Sequence, residues 1–144
     1  MSTMKTKKLQ KKDKYVMRIY KGEEFLSEIK EFCAKEGIHS GVFTAIGALE
    51  KATLGFFDPG SKEYIKFGVG ETEIASCMGN IALREGEVMV HSHAVLSDSA
   101  GRCFGGHLFE AYISATSEVF LETFSEKVER IKDEETTLFL LNLK

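Results

Sequence analysis

The sequence predicts an α+β domain in which a largely antiparallel β-sheet carries one main amphipathic helix. Three observations lead there. Runs of β-branched and aromatic residues recur from residue 15 to the C-terminal end, bounded by glycine or acidic turn residues. A single segment, near residues 23–36, has helical periodicity. The connections between strands are tight, whereas parallel neighbours need crossovers of about a dozen residues or more, so the strands are expected to pair antiparallel. At 144 residues the chain has the size of one ordinary domain and can bury a core without disulfide or metal staples.

Residues 15–20 alternate as a strand does, and Gly22 separates them from the helix. There Phe25, Leu26, Ile29, Phe32 and Cys33 form one apolar stripe, with acids in the first turn and Gly37 just past the end. Residues 41–49, 52–57 and 64–67 read as three strands, the last two joined by Asp58-Pro59-Gly60, where proline presets φ and glycine accepts φ > 0. Residues 73–83 are β-like, with Gly79 marking a bulge or a close backbone approach. Glu85-Gly86 then turns the chain into a strand over 88–95 that places Met89, His91, His93 and Val95 on one side. Residues 96–106 read as a polar connection, 108–116 and 119–124 as strands, 126–135 as a charged loop or a short turn of helix, and 138–143 as a final strand. There are no repeats and no linker. A sheet with this many strands has edges to cover, and closed assembly of several copies is one way to cover them.

Hydrophobic residues at 43% and charged residues at 28% fit a folded, water-soluble chain and exclude a disordered or collagen-like one. No apolar run approaches the roughly 18 residues of a membrane span, and the lysine-rich start lacks the apolar segment of a secretory signal. A cytoplasmic location is expected. Cys33, Cys77 and Cys103 are odd in number and widely spaced, which indicates buried thiols rather than a disulfide framework or a thiolate zinc knuckle. Charge divides the chain into a basic arm, residues 1–13, and a domain, residues 14–144. Residues 1–14 hold six lysines and one aspartate, a net +5, so in a chain of net charge −3 the remaining 130 residues carry −8. Such an arm can touch phosphate, while the acidic body repels a polyanion.

Three of the four histidines, His91, His93 and His107, lie within seventeen consecutive residues. Residues i and i+2 of a strand share a face about 6.6 Å apart, so the imidazoles of His91 and His93 can reach one ion at about 2.0–2.1 Å. His107, behind Gly105 and Gly106, can add a third from a neighbouring strand. Three neutral imidazoles leave a fourth position on zinc or a similar divalent metal open to water or ligand. The plainer alternative is that strand histidines satisfy hydrogen bonds at a surface and bind nothing. His39 has no spacing relation to the trio and reads as structural. If a metal carries chemistry, a nearby group must move protons. Glu118, Glu110, Asp98 and Tyr112 are candidates by position, with Asn80 a candidate hydrogen-bond donor to a ligand oxygen; spacing singles out none of them.

With these residues in view, the chain resembles the PPC (plants and prokaryotes conserved) domain family. The likeness rests on Arg18 followed by Gly22-Glu23, Gly47-Ala48, Gly79-Asn80-Ile81, His91-Ser92-His93, Gly105-Gly106-His107-Leu108 and Glu118-Val119, in that order over nearly the whole chain. The resemblance implies a compact α+β fold, assembly into homotrimers, and a metal, commonly zinc, on His91, His93 and His107. In plants the domain accompanies AT-hook segments that bind DNA. This chain has no Arg-Gly-Arg-Pro hook, its single proline is Pro59, and its body is acidic. The broad fold is also similar to that of α-acetolactate decarboxylase, a zinc enzyme with a three-histidine metal site. Three functions therefore follow as expectations. The first is a homotrimeric ligand-binding or regulatory protein with a metal site. The second is a zinc-dependent lyase or hydrolase acting on a small oxoacid, with Glu118 and Asn80 as catalytic candidates. The third is a DNA-binding protein acting through the lysine arm.

Overall fold

The computed structural model describes residues 3–143. Met1 and Ser2 of the basic arm, and Lys144 at the end of the domain, lie outside the described residues. One helix and eight strands follow in the order β1 (Lys11–Tyr20), α1 (Phe25–Lys35), β2 (Gly41–Asp58), β3 (Glu63–Val69), β4 (Thr72–Arg84), β5 (Glu87–Ser97), β6 (Cys103–Phe124), β7 (Glu129–Lys132) and β8 (Phe139–Leu141). All pairings are antiparallel except a short parallel one between β4 and β7. The fold is therefore the α+β, mainly antiparallel one that the turns predict.

The sheet closes on itself. The first half of β2 lies between β4 and β6, β4 pairs with β5, and the end of β5 pairs with the start of β6, which returns to the second half of β2. Closure is possible because β2 and β6 are single strands of 18 and 22 residues, where the sequence predicts two strands each. No turn residue interrupts either one, and register shifts near Gly47, Leu49 and Thr53 bend the long pair. The predicted connection over 96–106 shrinks to the turn between Ser97 and Cys103. Asp98 builds that turn, its carboxylate accepting from the backbone of Ala100 and Arg102 and from Arg102 Nε.

Inside the closed sheet, Phe43, Leu49, Leu54, Ile81, Leu96, Ile113, Val119 and Leu121 pack with Phe25, Ile29 and Cys33 of α1. The helix forms because its stripe faces this core. Glu24 caps it, one carboxylate oxygen accepting from Leu26 N and the other from Ser27 N. Strand alternation then sends the intervening residues outward. Val16, Val42, Ile46, Met78, Val95 and Phe120 are all exposed on the outer surface.

Other expectations also change. Cys33 and Cys77 are buried, as expected, but Cys103 is exposed at the start of β6. The charged segment after residue 125 contains β7, which pairs with β4 through Leu83↔Glu129 and Arg84↔Arg130. Its polarity is inverted, since Arg130 is buried and Ile131 is exposed. β1 begins at Lys11, and Lys7 Nζ donates to Lys127 O, so part of the lysine-rich segment lies against the domain.

Candidate metal centre

Strand geometry builds the site. On β5, Ser92, Ala94 and Leu96 point inward and are buried, so His91 and His93 emerge together on the outer side. The start of β6 then sets His107 directly opposite His93. That approach is close because β6 begins with two glycines. A Cβ at Gly105 would stand 2.4 Å from Ala94 O, and one at Gly106 would stand 2.5 Å from Gly55 O.

One ring nitrogen from each of His91, His93 and His107 lies within 4.8 Å of the others. The ring centroids are 5.1 Å apart for His91 with His93, 5.1 Å for His91 with His107, and 5.5 Å for His93 with His107. His91 Nε2 and His93 Nε2 are 3.2 Å apart. Two nitrogens bound to one tetrahedral ion at about 2.05 Å stand about 3.3 Å apart, so this pair already has the spacing a shared ion requires. His107 Nδ1 is buried with no hydrogen-bond partner among the described residues, and such a group marks a cluster not yet satisfied by protein alone. The donor set fits a divalent metal.

The surroundings favour the neutral form of two of the rings, His91 and His107. Burial, then the Arg130 guanidinium and His93, push the His91 pKa down to about 4. Burial, then His91, His93 and Lys66, push His107 to about 4. A neutral imidazole is the form that ligates a cation. His107 is held in a ring cage, 4.9 Å from Tyr64 and 4.5 Å from Phe109 between centroids.

Of the other sequence candidates, only Asn80 is brought to the histidines. It sits opposite His91 on β4, and its Oδ1 accepts from Arg130 Nη2 at 2.7 Å. Arg130 also donates from Nη1 to Phe139 O, and its Nη2 lies 3.4 Å from His91 Nδ1. Glu118 is opposite Arg18 and Ile46, Glu110 is opposite Thr53, Asp98 is spent on its turn, and Tyr112 lies under Lys51. The sequence gives no sign of Arg130, because it arises from a strand with its charged residue inside and its apolar residue outside. A groove of about 690 Å³ opens beside His91 and His93, lined also by Lys14, Val42, Met78, Asn80, Phe120 and Glu122.

A family model for the Plants and Prokaryotes Conserved domain matches residues 6–125. The chain belongs to that family. Among solved Plants and Prokaryotes Conserved relatives, a protein of this description from Pyrococcus horikoshii is 36% identical, with 98% of this chain and 99% of that one covered at a TM-score of 0.90. A protein from Archaeoglobus fulgidus, described as metal-containing, is 34% identical over 96% of this chain and 99% of that one at a TM-score of 0.91. One from Bacteroides thetaiotaomicron, described as a candidate DNA-binding protein, is 29% identical over 94% and 97% at a TM-score of 0.87. The α-acetolactate decarboxylase of Bacillus subtilis shares the fold alone, at 10% identity, a TM-score of 0.59 and coverage of 88% of this chain and 59% of that one. A curated relative, the bifunctional protein GlmU of a Synechococcus strain, is 30% identical over 109 residues, and the match spans 74% of this chain but only 16% of that protein. Among the described residues, no helix is long and apolar enough to cross a membrane.

Proposed function

We propose that this chain is a homotrimeric Plants and Prokaryotes Conserved domain protein. In this reading it holds one zinc or similar divalent ion on His91, His93 and His107 and uses it to bind a small ligand, in a carrier or regulatory role. The convergence of the three imidazoles carries the proposal, and the metal-containing description of the Archaeoglobus fulgidus relative supports it. Nitrogen donors in a three-ligand set suit zinc, although other late divalent metals compete for such sites. A cation bound there would polarise a ligand oxygen or acidify a water in its open position. The chain's own residues do the rest. Arg130 fixes the Asn80 amide and restrains His91, and Tyr64 and Phe109 hold His107.

Assembly is assigned to the free edge formed by β3. Among the described residues this seven-residue strand pairs with β2 alone, and it exposes Ile65 and Phe67 beside Phe56. In a trimer an unprotected apolar edge of this kind packs against a different surface of the next copy, the heterologous contact that a three-fold ring requires. Three free thiols are consistent with a cytoplasmic location.

A ligand-binding role ranks above a zinc-dependent lyase or hydrolase because Glu118, Glu110, Asp98 and Tyr112 do not line the groove, and Glu122, which does, is paired with Lys11 at 3.5 Å. DNA binding draws support from the description of the Bacteroides relative. It ranks lower because Lys7 and Lys11 are engaged by the protein itself. Elemental analysis of the chain purified without a histidine tag tests the metal. About one equivalent of divalent metal per chain, lost in His91→Ala, is the expected result. Substoichiometric metal that is unchanged in that variant would refute the site.

A further inference from the structure

Strand register lays two rows of side chains across the outer surface from the metal centre. One runs His91, Asn80, Val42, Glu122, Lys14, and the next runs His93, Met78, Thr44, Phe120, Val16. Neighbouring strands are about 4.8 Å apart, so three strand steps carry the rows about 14 Å from the histidines to β6. The groove of about 690 Å³ follows these rows, within the roughly 300–1,000 Å³ usual for small-molecule sites.

Its chemistry is graded along that length. At the histidine end, three neutral imidazoles around a divalent ion would leave two positive charges, and Arg130 adds a third behind them. Arg130 has donors only, so its bond to Asn80 requires Asn80 to present Oδ1 to it. The Asn80 amide N–H groups are left to donate to a ligand. In the middle, Val42, Met78 and Phe120 are 46%, 66% and 64% exposed, an apolar strip with nothing over it among the described residues. At the far end Glu122 is ion-paired with Lys11 at 3.5 Å and Lys14 is exposed, so the groove ends on solvated charges rather than on a buried cation that would call for a second anion.

We infer that this groove binds a monocarboxylate with an apolar tail, its carboxylate at His91, His93 and Asn80 and its tail along Val42, Met78 and Phe120. The inference rests on the three-histidine metal reading and goes beyond it by naming the ligand class. It also places the tail on side chains that the metal does not need.

Calorimetric titration of the zinc-loaded full chain with acetate, butyrate, hexanoate, octanoate and octanedioate tests it, with metal content measured in the same samples. Affinity is expected to rise about two- to fourfold per added methylene, with octanedioate weaker than octanoate. Phe120→Ser should flatten the length dependence while leaving acetate affinity and metal content unchanged. Asn80→Ala should weaken all members about tenfold, the loss of one hydrogen bond to a charged group. A fully metallated chain whose affinity does not depend on tail length, or that prefers octanedioate, overturns the inference and leaves the metal reading standing. A chain that takes up no metal and no carboxylate overturns both. Length-dependent binding to a metal-free chain upholds the tail's place in the groove and overturns the metal as its anchor.

Discussion

His91 and His107 sit where an imidazole is cheaper neutral than charged, since each is partly buried and each faces other positive or ionisable nitrogen groups. Their pKa values near 4 lie below the ordinary 6.5, so at intermediate pH the unfolded chain binds protons that the folded chain does not. Stability must then rise with pH across that interval. The contribution is fully present above about 6.5 and is lost progressively as pH falls toward about 4. Thermal melts of the metal-free chain between pH 7 and pH 4 are expected to show a falling Tm, and a His91→Phe, His107→Phe double variant should flatten the curve. A wild-type Tm that is level over this range would show the two rings to be solvated. At this scale the sequence is informative about ligands and silent about their supports. His-x-His on a strand shows shared direction, because alternation has a period of two. Arg130 reaches the site from β7, which among the described residues joins the main sheet through a two-residue parallel contact with β4.

At the scale of elements, the distance between β5 and β6 decides whether His93 and His107 meet. Gly105 and Gly106 set it, as the sequence suggests by placing them just before His107. Gly106→Ala would bring a methyl group against Gly55 O, a backbone atom with little freedom to yield. The expected cost is about 1–3 kcal/mol of stability, read by denaturant melts, together with reduced zinc content. Unchanged stability and metal would mean that β6 can shift without consequence. Most elements were legible from pattern, including the helix, the hairpin turns and the shared face of His91 and His93 on β5. The lengths of β2 and β6 were not, because a β-bulge reverses the alternation locally and resembles a break. The turn at Asp98 likewise resembled a longer loop, since Phe104 and the two glycines lack the β-branched signature of a strand.

For the whole molecule, closure of β2, β4, β5 and β6 removes most edges and leaves β1, β3 and β8 as edge strands among the described residues, of which β3 carries the exposed aromatic Phe67 beside Phe56. Phe56 and Ile65 face one another across that hairpin at 63% and 60% exposure. A Phe56→Glu, Ile65→Lys variant should fold, because neither side chain is in the core, and light scattering after gel filtration should find it monomeric, against the trimer expected of the wild type. A variant that stays trimeric would place the interface elsewhere. Such an interface is hard to read from sequence, since exposed and buried phenylalanines look alike until register assigns them to a face.

The metal itself is tested most directly by diffraction data collected on both sides of the zinc absorption edge, from crystals of untagged protein incubated with zinc. One anomalous peak per chain is expected, about 2.0–2.1 Å from a ring nitrogen of His91, His93 and His107. The three rings in place with no peak between them, or a peak held by other residues, would contradict it.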